Sequence, residues 1–301
     1  MRIQDRPYLL LTLAVLFWAG NFIVGRAFHA DIPPVALAFW RWVGAALLIT
    51  VPAMRHLRPD LPALLANWKI LLLLSLAGIA TFNTLVYSGL QYTQAVNAFL
   101  LQSLMPVLIV LLSFFLFRER VMVRQVLGIL ISLLGAVTII ARGDWHVVSQ
   151  LSFNQGDLLV FLAVVSYAIY SVMLRKRPRV HAFSLIAVTF WCGALMILPF
   201  YLWEALTIRS LQPDLRSLAA IGYVALFPSI LSYLCYNRGV ELIGANRAGL
   251  FIHLMPVFGS IMAILFLGEA FLWFHAVGML MIAAGILLAT YRIRPLPEKV
   301  G

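Results

Sequence analysis

The sequence predicts an all-α integral membrane protein of ten transmembrane helices, built as two five-helix repeats of inverted topology. Three observations predict it: the composition, the lengths of the apolar segments and the distribution of the basic residues. Of the 301 residues, 63% are hydrophobic and 11% are charged, against about 45–50% and about 25% in soluble domains. The same composition excludes a disordered chain, which would be poor in apolar residues and rich in charge.

Ten apolar segments are each long enough to cross a bilayer as a helix, which takes about 20 residues. They cover roughly residues 8–28, 33–53, 69–89, 95–117, 121–141, 156–174, 183–203, 216–237, 247–267 and 272–291. No small-residue cleavage site follows the start of the first segment, so we expect it to be a retained helix. The connections are short and leave no room for a soluble domain.

The basic residues predict the orientation of these helices. With both termini in the cytoplasm, 17 of the 22 Lys and Arg residues lie on the cytoplasmic side, four lie on the other side and Arg41 lies within a span. Positive charge concentrates in the cytoplasmic loops of membrane proteins. The distribution therefore predicts cytoplasmic termini, and it explains the net charge of +11 without a nucleic-acid partner.

Residues 1–150 and 151–301 form two repeats. The segment from Leu104 to Val107 recurs from Leu254 to Val257, an offset of 150 residues. The same offset relates further pairs: Gly89 and Gly239, Ala98 and Ala248, Glu119 and Glu269, Gly128 and Gly278, and Gly135 and Gly285. Because each half holds five spans, the second copy enters the membrane from the opposite side. Inverted repeats are typical of secondary transporters, whose site lies between the halves.

Polar and aromatic residues within the spans are candidates for that site, since a polar group in hydrocarbon needs a reason to be there. The candidate substrate-binding residues are Trp18, Asn21, Asn83, Phe99, Gln102, Ser103, Tyr167, Tyr170, Tyr233 and His253. Aromatic walls with a few amide, hydroxyl and imidazole groups suit a small zwitterion with an apolar side chain. The same polar residues also hold helices together in other membrane proteins, and both roles remain open.

Five residues are candidates for gating. Pro106 and Pro256 occupy equivalent mid-span positions and predict either hinges or static kinks. Arg41 lies about two turns into the second span, where it is expected to reach outward, to pair with Glu269 or a backbone carbonyl, or to bind a substrate carboxylate. Glu119 and Glu269 end the fourth and ninth spans on opposite faces, where they close gates or simply lie at the interface.

Several short stretches occur in a fixed order along the chain. They are Trp18-Ala19-Gly20-Asn21, Pro33 to Arg41, Ala95 to Pro106, Arg118-Glu119-Arg120 and Gly268-Glu269, with Gly128 and Gly135 between. In this order and spacing they resemble the EamA-type transporters of the drug/metabolite transporter superfamily. The resemblance implies a bacterial inner-membrane carrier whose helices 1, 3, 4, 6, 8 and 9 line a central cavity. It also implies export of small metabolites, and within the superfamily the sequence resembles the exporters of amino acids, including those of aromatic amino acids.

The remaining features narrow the function further. The chain has no P-loop motif for ATP and no motif of a membrane-embedded enzyme, so we expect no cofactor, no metal and no catalysis. All eleven Asp and Glu residues lie in tails, loops or span ends, which leaves His253 as the only deep group titrating near neutrality. The predicted partners are the bilayer and a small neutral substrate. Transport of this substrate is expected to be either efflux down its gradient or coupled to protons through His253. Carriers of sugar phosphates, nucleotide sugars or toxic compounds, and channels, are the alternatives.

Overall fold

The computed structural model describes residues 3–28, 31–149, 153–212, 214–267 and 270–290, and within these ranges all regular structure is helical. The helices are α1 Pro7–Ala27, α2 Pro34–Ala66, α3 Trp68–Gly89, α4 in the two pieces Ala95–Gln102 and Met105–Phe117, α5 Val123–Ile140, α6 Gln155–Lys176, α7 Ala182–Thr207, α8 Leu215–Ile243, α9 in the pieces Ala245–Leu250, Phe251–His253 and Leu254–Leu267, and α10 Trp273–Thr290. Eight of them, α2 to α8 and α10, are long and apolar enough to cross a membrane. The all-helical membrane fold is confirmed, while the side on which the termini lie stays a prediction.

Helix α2 is longer than the sequence predicts. The expected span ended near residue 53, yet the helix continues to Ala66 through Pro59 and Pro62. The extension is held by the start of α7, where Asp60 accepts a hydrogen bond from the backbone N–H of His181 at 3.0 Å. This contact with α7 explains why a segment whose sequence is typical of a polar loop is helical.

The beginning of α2 is also fixed by α7. Val35 and Ala36 donate their backbone N–H groups to the buried carboxylate of Glu204, at 3.1 and 2.7 Å. The first N–H groups of a helix have no partner within the helix, and the helix dipole favours negative charge there. Glu204 therefore acts as a cap supplied by a neighbouring helix, and it sets the depth of α2 in the bundle.

The two predicted repeats contain a widened helical turn at equivalent positions. Residues Ser75–Thr81 of α3 and Leu226–Leu231 of α8 are π-helical. Pro228 lacks an N–H group, so the carbonyl of Val224 loses its helical donor, and the Ser229 hydroxyl donates to it at 2.7 Å. The wide turn also exposes backbone carbonyls to other helices, and π turns of this kind occur often at functional sites.

Helices α4 and α9 are interrupted before the two symmetry-related prolines. Helix α4 breaks between Gln102 and Met105, one residue before Pro106. Helix α9 tightens to a 3-10 turn over Phe251–His253, before Pro256. The missing N–H of each proline and its ring clash with the preceding turn account for these interruptions. A hinge at either position stays a prediction.

Helices α5 and α10 pack through four glycines placed by the repeat. A Cβ atom on Gly135 would come within 2.7 Å of the Gly278 carbonyl oxygen, and a Cβ on Gly278 within 2.7 Å of the Gly135 carbonyl oxygen. Gly128 and Gly285 make the corresponding close contact about two helical turns away. Small residues let membrane helices approach closely, so this pair of helices joins the two halves back to back.

Candidate functional site

Arg41 of α2 is buried at the centre of the bundle, with 1% of its surface exposed. Its guanidinium donates to five neutral acceptors: Ser229 Oγ at 2.6 Å, Asn21 Oδ1 at 2.9 Å, Asn83 Oδ1 at 2.8 Å, Tyr87 Oη at 2.8 Å and the Pro228 carbonyl at 3.0 Å. The Trp42 ring centroid lies 4.8 Å from the Arg41 Cζ atom. No carboxylate of the described chain pairs with this charge.

The widened turn of α8 supplies two of these acceptors. The Ser229 hydroxyl, whose hydrogen points to the Val224 carbonyl, presents its lone pairs to Arg41 Nε. The Pro228 carbonyl accepts from Arg41 and also from Trp18 Nε1, at 3.1 Å. Since α1 and α2 belong to the first repeat and α8 to the second, Arg41 ties the two repeats together.

A cavity of about 20 Å³ lies beside Arg41, which is room for about one water molecule. It is lined by both repeats: Trp18, Asn21, Arg41, Phe82, Asn83, Gln102, Met105, Tyr167, Tyr233, Ile252 and Met255. The lining comes from the six helices that the family resemblance implies and, through Arg41, also from α2. In this conformation the central cavity is closed around less than the volume of a substrate.

A layer of tyrosines separates the central cavity from a wide vestibule on the predicted cytoplasmic side. The Tyr170 hydroxyl donates to Asn237 Oδ1 at 2.8 Å, and the Tyr236 hydroxyl donates to Ser171 Oγ at 2.9 Å. The Tyr233 ring packs on Tyr170, with ring centroids 5.6 Å apart. Asn237 also lines the vestibule, whose volume is 670 Å³, and Tyr233 also lines the central cavity, so the tyrosine layer contacts both spaces.

Ion pairs border the vestibule. Glu119, at the end of α4, pairs with Arg175 of α6 at 2.7 Å and accepts from Asn246 of α9 at 3.0 Å. Arg177 pairs with Glu241 of α8 at 2.8 Å. These contacts join the ends of α4, α6, α8 and α9 on the predicted cytoplasmic side. A gating role of Glu119 stays a prediction. The equivalent position Glu269 lies outside the described residues.

A second crevice, of 200 Å³, lies between α4, α5, α9 and α10 toward the opposite side. Phe99, Pro256 and Gly259 line it. On the predicted cytoplasmic side the two helices are in contact, because Ile109 of α4 packs against Gly249 of α9. The bundle is therefore closed between α4 and α9 at one end and parted at the other.

Of the ten candidate binding residues, the structure brings six to the central cavity: Trp18, Asn21, Asn83, Gln102, Tyr167 and Tyr233. Phe99 lines the separate crevice, and Tyr170 lies in the tyrosine layer. His253 points away from the cavity: its Nε2 contacts the Ser103 carbonyl at 2.9 Å and its Nδ1 contacts Ser132 Oγ. Because a carbonyl only accepts, Nε2 carries a hydrogen, and His253 joins α9 to α4 and α5.

Arg41 is predicted to reach outward, to pair with Glu269 or a backbone carbonyl, or to bind a substrate carboxylate. It donates to the Pro228 carbonyl and lines the central cavity together with the binding candidates. Tyr87 is a further member that the sequence reasoning left out: its hydroxyl donates to Asn21 Oδ1 at 2.7 Å and accepts from Arg41. The available signal was its spacing, one helical turn after Asn83. Met105 and Met255 also line the cavity, at equivalent positions. Nothing in the sequence distinguishes them from other apolar residues.

The chain is similar to known transporters over almost its whole length. The model of the EamA-like transporter family matches residues 6–141 and 154–291. The uncharacterized transporter YyaM of Bacillus subtilis (strain 168) is 28% identical over 290 residues, 95% of this chain and 94% of that one. A probable amino-acid metabolite efflux pump of Salmonella typhimurium is 26% identical over 300 residues, 95% of each chain. A crystal structure with 20% identity matches 95% of this chain and 96% of its own, with a TM-score of 0.78, and this similarity shows the fold alone.

Proposed function

Because the chain belongs to the EamA-like transporter family, we propose that it is a secondary carrier in the bacterial cytoplasmic membrane that exports neutral or aromatic amino acids. The observation that carries the proposal is the central cavity, to which both repeats contribute aromatic and polar side chains. Rings such as Trp18 and Tyr167, whose centroids are 5.5 Å apart, suit an apolar side chain. The Salmonella relative named as a probable amino-acid metabolite efflux pump supports the same substrate class.

Alternating access is the mechanism that the two ends of the bundle support. Ile109 and Gly259 are equivalent in the two repeats, as are Phe99 and Gly249. The contact of Ile109 with Gly249 closes the cytoplasmic side, and its counterpart, Phe99 with Gly259, is open. Exchanging the two contacts opens the cavity to the other side, as expected when two inverted repeats rock around one site.

The charge of the cavity favours amino acids over the alternative substrates. Sugar phosphates and nucleotide sugars carry more than one negative charge, and they call for several basic groups. Arg41 is the one cation among the residues that line the central cavity. A zwitterion, with a single carboxylate, matches one guanidinium.

Counterflow in proteoliposomes tests the proposal. Vesicles loaded with one unlabelled amino acid at a time receive labelled phenylalanine or threonine outside, with and without a protonophore, and vesicles without protein are the control. We expect labelled phenylalanine to accumulate transiently above the control, because exchange needs no net driving force. We expect the same accumulation when the protonophore is present. Absence of counterflow with every amino acid removes this substrate class. Uptake that neither saturates nor shows counterflow indicates a channel.

A further inference from the structure

We propose that the central cavity is a carboxylate site, in which Arg41 and neighbouring amide and phenol groups bind one carboxylate of an apolar molecule, and that a substrate ammonium group is dispensable. The proposal rests on the proposed function in taking this cavity as the transport site. It goes further in naming the group that is recognised, and in extending the substrates from amino acids to simple monocarboxylates.

The charge balance is the first step. Arg41 is buried, and all five groups that it contacts are neutral. An arginine stays protonated in proteins, and a buried charge is costly unless an opposite charge is near. The central cavity, which has no acidic residue in its lining, therefore carries a net positive charge that one anionic group would neutralise.

The hydrogen-bond balance is the second step, and it points the same way. Three buried groups that line the cavity have no hydrogen-bond partner: Asn83 Nδ2, Gln102 Nε2 and Tyr167 Oη. Two are N–H donors and the third is a hydroxyl that can donate. Buried polar groups are nearly always paired, so such a set in one cavity indicates a ligand or water that accepts hydrogen bonds.

The orientation of Asn83 is fixed by its neighbour. Its carbonyl oxygen accepts from Arg41 Nη1, and the guanidinium has no acceptor to offer, so the amide nitrogen must face away from Arg41. Arg41 Nη2 also has two hydrogens and a single acceptor in the described chain, the Pro228 carbonyl. Arg41 and Asn83 thus both have N–H groups beside the cavity that can donate hydrogen bonds to a ligand.

The rest of the lining is apolar or aromatic and holds no anion that would pair with an ammonium group. Phe82, Met105, Ile252 and Met255 surround the polar groups. A molecule with one carboxylate and an apolar body matches this cavity, because the carboxylate accepts from the polar groups and the apolar body packs against the apolar lining. Because the cavity is closed to about the volume of one water molecule, the ligand enters when α4 and α9 part.

A panel of compounds tests the carboxylate requirement on the unaltered protein. Thermal unfolding is measured in detergent with L-phenylalanine, 3-phenylpropanoate, benzoate, L-phenylalaninamide and 2-phenylethylamine at equal millimolar concentrations. We expect the three carboxylates to raise the unfolding temperature and the two compounds without one to leave it unchanged. Equal shifts with phenylalanine and its amide overturn the proposal, and so does the absence of a shift with every carboxylate.

Three variants locate the effect at Arg41. Arg41→Gln is expected to weaken carboxylate binding about tenfold to one-hundredfold, the range for a hydrogen bond to a charged group. Asn83→Asp places a carboxylate at the same guanidinium and is expected to abolish the shift while the unliganded protein stays folded. Arg55→Gln is the matched control, because Arg55 lies on the same helix and is exposed. A full carboxylate-dependent shift in Asn83→Asp overturns the proposal even where Arg41→Gln does not fold.

The two proposals fail in different ways. Counterflow of phenylalanine and of phenylalaninamide at equal rates keeps the carrier and removes the carboxylate site. Binding of 3-phenylpropanoate without counterflow of any amino acid keeps the carboxylate site and removes amino-acid export.

Discussion

Ile109 packs so closely against Gly249 that a Cβ atom on this glycine would lie 2.6 Å from the Ile109 Cδ1 atom. At Gly259, the residue equivalent to Ile109 in the second repeat, no atom of the described chain lies within 4 Å of such a Cβ. At each end α4 therefore supplies the bulky residue, Ile109 or Phe99, and α9 supplies the small one, Gly249 or Gly259. Of these two pairs, the described structure has Ile109 and Gly249 in contact.

Gly259→Leu is expected to leave the unfolding temperature within about 2 °C of the wild type, because the added side chain meets open space. It is expected to slow counterflow at least about tenfold, since Phe99 then has no room to close on α9. Gly222→Leu is the control, because Gly222 likewise has no described neighbour within 4 Å and lies on an exposed face of α8. Counterflow at the wild-type rate in Gly259→Leu contradicts the reciprocal contact.

The glycines between α5 and α10 predict a loss of stability. Gly135→Ala brings a Cβ within 2.7 Å of the Gly278 carbonyl oxygen, and the two backbones must move apart. Overpacking of this kind costs about 1–3 kcal/mol, so the unfolding temperature should fall by several degrees. Gly222→Ala should not lower it, and an equal effect in both variants would show that the close approach is unimportant.

His253 is expected to act as a structural residue and not as a proton carrier. It is fully buried and contacts Ser103 and Ser132 through its two ring nitrogens. His253→Ala leaves the Ser132 hydroxyl without this partner, and an unpaired buried group costs about 1–3 kcal/mol. We expect a lower unfolding temperature and an unchanged effect of the protonophore on uptake. Loss of proton-driven uptake with intact exchange would instead assign the coupling to His253.

The contact of α2 with the start of α7 predicts a dependence of stability on pH. The rings of His56 and His181 stack with centroids 3.6 Å apart, and burial and then the charge of His56 lower the pKa of His181, against the opposing effect of Asp60. The folded protein therefore binds a proton at His181 less readily than the unfolded chain, whose histidine pKa is about 6.5.

The stability contributed by His181 is thus present above about pH 6.5 and is lost as the pH falls below it. We expect the unfolding temperature to decrease between about pH 7.5 and about pH 5.5. His181→Asn, which retains a residue that caps helices well, should show a smaller decrease. An identical pH profile in the variant would exclude this histidine as the cause.

The helices follow from the sequence because each depends on a local pattern, the length of an apolar segment. The division into two repeats, based on matches such as Pro106 with Pro256, stays a prediction, as does the orientation based on loop charge. Six candidate binding residues line the central cavity, and they could be selected from the sequence because polar residues in hydrocarbon are few. Their role in binding a substrate stays a prediction. The place of Arg41 could not be predicted, since it depends on how α1, α3 and α8 meet around α2. The wide turns of α3 and α8 and the extension of α2 depend on tertiary contacts in the same way.

The reciprocal approach of Gly135 to Gly278 and of Gly128 to Gly285 is an isologous interface enclosed in one chain. Such a surface is self-complementary, so a five-helix unit that carries it can bind an inverted copy of itself. The covalent connection between the halves then acts chiefly by raising their effective concentration for each other. Two separately produced halves are therefore expected to reassemble, at a rate set by their density in the membrane.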